Sequence, residues 1–450
     1  MDCMKKVLLT LITVIFLFNL HAQVKDSSYS MSLRQALDYA LKNQVSIQNA
    51  ELDKQIAEAK KKELLGLALP QVNASFDLKD FLEIPTSLIP AEFFNGKPGT
   101  FIGVKFGTQY NATAGAEASQ LIFDGSFFLA IKAMKSVLEL ADKSAVRTRI
   151  EVSSAVTKAY YNVLITEDRM KLLDANLERL KKLQSDTKAL NENGFVEKID
   201  LDRITVNLTN LLTERDKIQR FADLSYNFLK YQMGMDQKAR LVLSGRLEDI
   251  NFSPEMISND KFDPASRVEY SMLLSQQQLN HLDLKRNRFG YLPNLVAYGS
   301  ASESALRSQF DIFTPGKTWY PMAVVGLKLS LPIFDGGQKH YKVEQSKLNI
   351  MKTENDMKAL QQGLDLEYIN AKTGLVNASN SLGLQKKNID LANDIYNVAK
   401  KKYEQGVGSN IEVMTAETSL KEAQTNYYSA LYDALNAKVD FDKANGSLLK

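Results

Sequence analysis

Two histidines lie in the body of the chain, His281 and His340, and neither has a second His or Cys at metal-ligand spacing. A zinc site needs three or four such ligands converging on one point, so no metal is expected. Pro315-Gly316-Lys317-Thr318 has the ending of a phosphate loop, but Asp311 stands where that loop requires its first Gly. Neither Gly-x-Ser-x-Gly nor His-Glu-x-x-His occurs. Without a nucleophile–base pair, a metal set or a phosphate cradle, the sequence predicts neither an enzyme nor a cofactor. Trp319 and Tyr320 form an aromatic pair of the kind found at membrane interfaces, or an ordinary loop pair.

The recurring feature is a phrase. Ile122-Phe123-Asp124-Gly125 returns 211 residues later as Ile333-Phe334-Asp335-Gly336. Period-two alternation precedes each copy, and a polar stretch with apolar residues every three or four positions follows. A second pair is Gly194-Phe195-Val196-Glu197-Lys198-Ile199-Asp200-Leu201 and Gly406-Val407-Gly408-Ser409-Asn410-Ile411-Glu412-Val413, offset by 212. Leu69-Pro70 and Leu292-Pro293 stand upstream of each phrase. Near-constant offsets over so long a period mark an internal duplication of a strand–strand–long helix–helix unit.

Of the 450 residues, 22 are Gly and 10 are Pro, and they gather at these transitions, which leaves long unbroken elements. Lys5 and Lys6, the apolar run Val7 to Leu20 and the small residue Ala22 read as a secretory signal over residues 1–22. Its removal takes away the single cysteine, Cys3, and lowers the formal charge from +3 to +2. A nearly neutral mature chain argues against nucleic acid as a partner. With no thiol left, packing or assembly alone must stabilise it. No later segment is a spanning helix, so passage through a membrane would require a closed β-barrel.

The expected order is as follows. One helix covers 30–66, capped by Ser32 and ended by Gly66 and Pro70. Val72, Ala74, Phe76 and Leu78 alternate with polar residues in a first strand. Residues 80–100 read as an exposed loop. A second alternating run, from Val104 to Ala118, reads as one strand of about 15 residues, longer than the roughly 9–11 that cross a bilayer. A helix of some 65 residues, about 100 Å long, then runs to Asn193-Gly194. A return helix ends at Gly234. Residues 235–264 join the halves, giving repeats at 23–234 and 265–450. The second repeat adds a helix over 265–289, strands after Pro293 and through Val325–Leu331, a helix of about 68 residues and a last helix from Ile411. Leu375, Ala378, Leu382, Gln385, Ile389, Ala392, Tyr396, Ala399 and Tyr403 alternate steps of three and four, a coiled-coil seam. Four strands cannot close a barrel, which needs about eight, whereas three chains would supply twelve.

In this ordered set of signals the chain resembles the TolC-type outer membrane efflux and secretion channel family, over essentially the whole mature sequence. The resemblance implies an α+β homotrimer. A twelve-stranded barrel in outer membrane lipid, four strands per chain, continues as a coiled-coil helical tunnel through the periplasm. It implies a passive conduit fed by an inner-membrane pump through a periplasmic adaptor. A soluble periplasmic coiled-coil structural or adaptor protein is the other reading. Carried over by position, the family's tip latch falls on Tyr403 and Asp200. A second link, from an Arg two residues past the turn, is lost because Gly408 stands there. Of two acidic aperture rings, Glu412 matches the first, while Thr415 replaces the second. Three symmetry copies of Glu412 would raise one another's pKa and make gating pH-sensitive. Adaptor docking falls on Gly194, Phe195, Val196, Gly406, Val407, Gly408 and Ser409. Pro70, Phe123, Asp124, Gly125, Pro293, Phe334, Asp335 and Gly336 mark the transitions between strand and helix.

Overall fold

The computed structural model describes residues 28–247 and 262–449; the signal reading at 1–22 and residues 248–261 of the join at 235–264 lie outside the described residues. Two compact units form. Of the described residues, the first combines 28–48, 148–247, 262 and 366–449; the second combines Asn49–Arg147 and Asp263–Asp365.

The elements are, in order, β1 (Ser28–Met31), α1 (Leu33–Asn43), α2 (Val45–Gly66), β2 (Gln71–Asp80), β3 (Thr86–Pro90), β4 (Phe101–Lys105), β5 (Tyr110–Phe123), α3 (Gly125–Glu192), α4 (Lys198–Met233), β6 (Arg240–Leu243), α5 (Val268–Phe289), β7 (Asn294–Arg307), β8 (Tyr320–Ser330), α6 (Gln338–Glu404) and α7 (Asn410–Ala444). Apart from the β3–β4 pair and the break between α1 and α2, the two halves supply the same series, and α3 and α6 are unbroken over 68 and 67 residues.

The first unit is helical and packs on two apolar clusters. One gathers Ala36, Ala40, Val156, Tyr160, Leu229 and Met233 with the parallel pair β1–β6. The other takes Leu173, Leu177 and Leu180 from α3; Ile204, Leu211 and Ile218 from α4; Ala392, Tyr396 and Ala399 from α6; and Val413, Ala416 and Leu420 from α7. Steps of three, four and seven place one stripe of each helix inward, as in coiled coils. The 3-4 seam expected around Ala392, Tyr396 and Ala399 is therefore the buried stripe of α6.

The second unit carries one antiparallel sheet in the order β2-β5-β7-β8. Its helices are tied by polar contacts, including Asn280 Nδ2 to Thr353 Oγ1 at 2.7 Å and Asn287 Nδ2 to Ser346 Oγ at 2.8 Å.

Three local expectations are corrected. The helix over 30–66 starts later and breaks. β1 precedes it, Ser32 does cap α1 with a reciprocal bond to Gln35, and Gln44 is extended (φ −67°, ψ 130°). Gln44 Oε1 accepts from the Ser46 amide at 2.5 Å and so restarts the helix. The left-handed Gly234 sits against this break: a Cβ there would lie 2.7 Å from the Asn43 carbonyl oxygen. The loop at 80–100 holds a hairpin, because β3 pairs with β4 and Asn95 (φ 58°) closes the connecting turn in the left-handed region that Asn tolerates. The single strand over 104–118 is two strands. The chain turns at Gly107 (φ +124°) between β4 and β5, and period two alone does not see a change of direction.

Candidate functional site: sheet faces and hairpin tips

Register sorts the sheet into two chemical faces. Residues paired across antiparallel strands share a face. Val72 lies beside Ala118, then Gly299 and Val325; Ala74 beside Ala116, Ala301 and Ala323. Leu327 and Leu329 extend this apolar face opposite Ala297 and Leu295. One residue along, the face is mainly polar: Asn73, Glu117 and Ser300 align, as do Asp77, Thr113 and Ser304, with Val324 and Met322 of β8 as its apolar members, while Glu303 is the acidic member of the apolar face, opposite Ala114. The Thr113 and Ser304 hydroxyls are 3.3 Å apart. A ring of Tyr298 lies under Gly326, where a Cβ would come within 2.7 Å of it, so this pair keys the register of β7 to β8. The edge strands β2 and β8 are exposed along their length, with Val325 91 % exposed on the apolar face.

At one end of the sheet the β7–β8 connection folds back. Ile312 is buried on Ala112 and Ala305, Trp319 packs beside them, and Phe313 meets Phe76 at 6.3 Å. Trp319 is thus a packing residue of this connection. Lys317 pairs with Asp311 at 2.9 Å and holds its carboxyl below the usual range. The residue that spoils the phosphate-loop pattern therefore occupies the lysine that such a loop would use.

At the other end the transitions fall where the repeated phrase sets them. Pro70 and Pro293 each stand one residue before a strand, where no ladder amide is needed. Asp124 Oδ1 accepts the amides of Ser126 and Phe127 at 2.7 and 3.1 Å and caps α3. Asp335 accepts those of Gly337 and Lys339, both at 3.1 Å. The glycines differ in role. Gly125 is small because a Cβ would lie 3.0 Å from Phe289, whereas Gly336 holds φ +64°. Phe123 ends β5 after a register shift, and Phe334 is exposed.

The helical tips are near copies. Gly194 and Gly406 hold φ +77° and +74°. The Phe195 amide donates to the Leu190 carbonyl at 2.9 Å, and Val407 to Lys402 at 3.0 Å, the six-to-one closure of a helix end. Phe195 and Val407 project equally, each 76 % exposed. Beside them Val196 accepts from Asn191, and Ser409 caps α7 through the Glu412 amide at 3.3 Å. Position 408 has no room for an arginine: a Cβ would lie 2.8 Å from that of Lys402.

The two latch residues each have another partner in the single chain. Asp200 accepts from Asn410 Nδ2 at 3.1 Å and lies 3.6 Å from Arg203. The Tyr403 hydroxyl is 3.5 Å from that of Thr187. Glu412 is exposed along an open groove of about 590 Å³ between α6 and α7. Sequence reasoning missed Asn410, which is 4 % exposed and joins the first turns of α4 and α7. Its only signal was its position, shortly past the tip glycines. Among the described residues no helix is long and apolar enough to cross a membrane, and no cluster of metal-ligating side chains occurs.

Residues 276–447 match the model of the outer membrane efflux proteins. Outer membrane protein TolC of Escherichia coli (strain K12) is 22 % identical over 358 residues, covering 76 % of this chain and 71 % of the relative. The alkaline protease secretion protein AprF of Pseudomonas aeruginosa is 25 % identical over 177 residues, 38 % of this chain and 35 % of AprF. The MtrE outer membrane channel of Neisseria gonorrhoeae, solved in its open state, superposes with a TM-score of 0.71 at 17 % identity, covering 93 % of this chain and 89 % of MtrE.

Proposed function

We infer that this chain is an outer membrane efflux protein, a channel subunit that gives substrates a passive path out of the cell. The observation that carries the reading is the sheet. Lipid offers no partner to backbone amides and carbonyls, so an apolar-faced sheet enters a membrane only when its edges are closed. Here β2 and β8 are antiparallel to each other, being the first and fourth strands of an antiparallel sheet. A copy's β8 can therefore pair with the next copy's β2 in the same sense as every other pair. Three copies give a barrel of twelve strands with the apolar face toward lipid and the polar face toward the lumen. A soluble coiled-coil adaptor is not favoured, because it would leave that apolar face in water.

The sheet sits in the outer membrane, and the helical hairpins form a coiled-coil tunnel in the periplasm. Its partners are a periplasmic adaptor and an inner-membrane pump, which supplies the energy. The paired tips, Gly194-Phe195-Val196 and Gly406-Val407-Gly408-Ser409, are the adaptor's docking points; two matching exposed apolar residues support this. The gate lies beside them. Asp200 and Tyr403 keep the entrance closed, with the bond from the buried Asn410 to the half-buried Asp200 supporting an α4–α7 tie, and Glu412 lines the aperture.

Single-channel conductance in planar bilayers tests the reading. The wild type is expected to form a low-conductance pore, and Asp200→Ala/Tyr403→Phe a wider one. Asn410→Ala is expected to raise conductance as well. A wide wild-type pore unchanged by these substitutions would remove the gate and keep the channel. No conductance from a folded trimer would remove the channel.

A further inference from the structure

A polar chamber interrupts the apolar seam of the helical unit. Its volume is about 160 Å³, roughly that of five water molecules at liquid density. Asn176 and Arg179 reach it from α3, Asn207 and Asn210 from α4, Glu417 and Lys421 from α7. Leu180, Leu211 and Leu420, all of the apolar seam, line it too.

Glu417 is largely buried there, and its Oε2 accepts no hydrogen bond among the described residues. The nearby cations are engaged elsewhere. Arg179 donates to Asn176 Oδ1 and lies over the ring of Tyr396 on α6, 5.1 Å from its centroid. Lys421 pairs with Glu214 of α4. Asn176 donates in turn to Gln424 at 2.9 Å. The groups facing Glu417 are therefore Arg179 from α3, the two amides from α4 with Glu214 behind Lys421, Tyr396 from α6, and Lys421 on its own helix. An unpartnered buried carboxylate costs more than a neutral carboxyl, which can donate its O–H and needs no counter-charge.

We propose that this chamber is a proton-responsive joint between the α3–α4 and α6–α7 hairpins, tight while Glu417 carries a proton and loosened when it loses that proton to solvent. Burial pushes the Glu417 carboxyl up to about 7, against the pull of Arg179 and then Lys421. The change of state therefore falls near neutral pH. Ionised Glu417 must either draw Arg179 away from Tyr396 and Asn176 or admit more water, and both weaken the seam. The inference concerns the helical unit and stands whether or not the chain conducts.

Native-state amide exchange of the full-length detergent-solubilised protein tests it, read in residues 173–183 and 413–424 and corrected for the intrinsic pH dependence. On raising pH from 5.5 to 8 the wild type should lose on the order of tenfold protection, since an opened joint ionises at the ordinary glutamate value. Glu417→Gln, neutral at both pH values, should hold its protection. A wild type as flat as Glu417→Gln overturns the proposal. Arg179→Gln gives a second reading that does not depend on the first variant folding. Loss of the facing cation must move the wild-type transition to higher pH, and an unmoved transition overturns the proposal equally.

Discussion

Tyr160 offers a double-mutant cycle whose outcome the geometry dictates. Its side chain is 1 % exposed in the apolar cluster around β1 and β6. The hydroxyl donates to the Met31 carbonyl and accepts from the Gly245 amide, both at 3.2 Å. Tyr160→Phe removes one oxygen and makes no other change of shape. Met31 keeps a second donor, the Ser244 amide at 3.1 Å, so the chief loss is the partner of Gly245. The expected cost is about 1–2 kcal/mol. Gly245→Ala costs about 1–3 kcal/mol for a different reason. Its new Cβ would lie 2.6 Å from the Tyr160 oxygen. The nearest ring carbons are 3.5 Å from that Cβ, an ordinary contact. In the Tyr160→Phe background the clash is therefore gone, and the same alanine should cost nothing or stabilise by about 0.5 kcal/mol through lost chain entropy in the unfolded state. The coupling should reach at least about 1 kcal/mol in the favourable direction. Amide exchange of residues 152–165 and 240–245 reads all four corners of the cycle. Additive single effects would refute the assignment of the hydroxyl as both the bond and the obstacle.

Glu417→Gln should change stability in a pH-dependent way. With the folded-state value raised to about 7, the acid's contribution is fully present below about 4.5 and is lost as pH rises through 7. Discounted for partial exposure, the variant should gain about 1–2 kcal/mol at pH 8 and nothing at pH 4, seen in thermal midpoints. On the sheet, Leu327→Arg on the apolar face should impair membrane assembly by about 2–4 kcal/mol. Ser75→Arg on the polar face should leave it intact, as heat-resistant oligomers in outer-membrane fractions would register. Asp124→Ala removes the acceptor for two amides at the start of α3. It should cost about 1 kcal/mol, with exchange increasing in residues 125–130.

What could be read from the sequence was whatever repeats along one dimension. Period two located β2, β5, β7 and β8 because apolar residues recur at every second position along one face of each. Steps of three and four located the seam through Ala392, Tyr396 and Ala399, and the tip glycines fixed both turns. The errors arose where backbone direction changes without a change of pattern. Alternation runs straight through Gly107, and a helical stripe runs through Gln44, whose break is fixed by its own side chain and by the approach of Gly234. The Pro and Gly content of residues 80–100 suggested a loop around what is a short hairpin. Asn410 and Glu417 escaped for another reason. Each matters through residues brought from other helices, and the mutual registers of α3, α4, α6 and α7 are not written in any one of them. The family resemblance pointed to Asp200, but its contact with Asn410 emerged only from the folded chain.

The open edges of the sheet also bear on biogenesis. In the proposed assembly, a copy that has not yet met its fellows holds two long strands, β2 and β8, each with one unpaired edge, and a bare apolar face. Such a surface pairs readily with any extended chain, so the solitary subunit is the species most exposed to aggregation and proteolysis. Assembly has to outrun both, and its rate rises steeply with the local concentration of subunits. Expression level, and the capacity of periplasmic holding factors, would then govern how much channel a cell installs, quite apart from how stable the finished channel is.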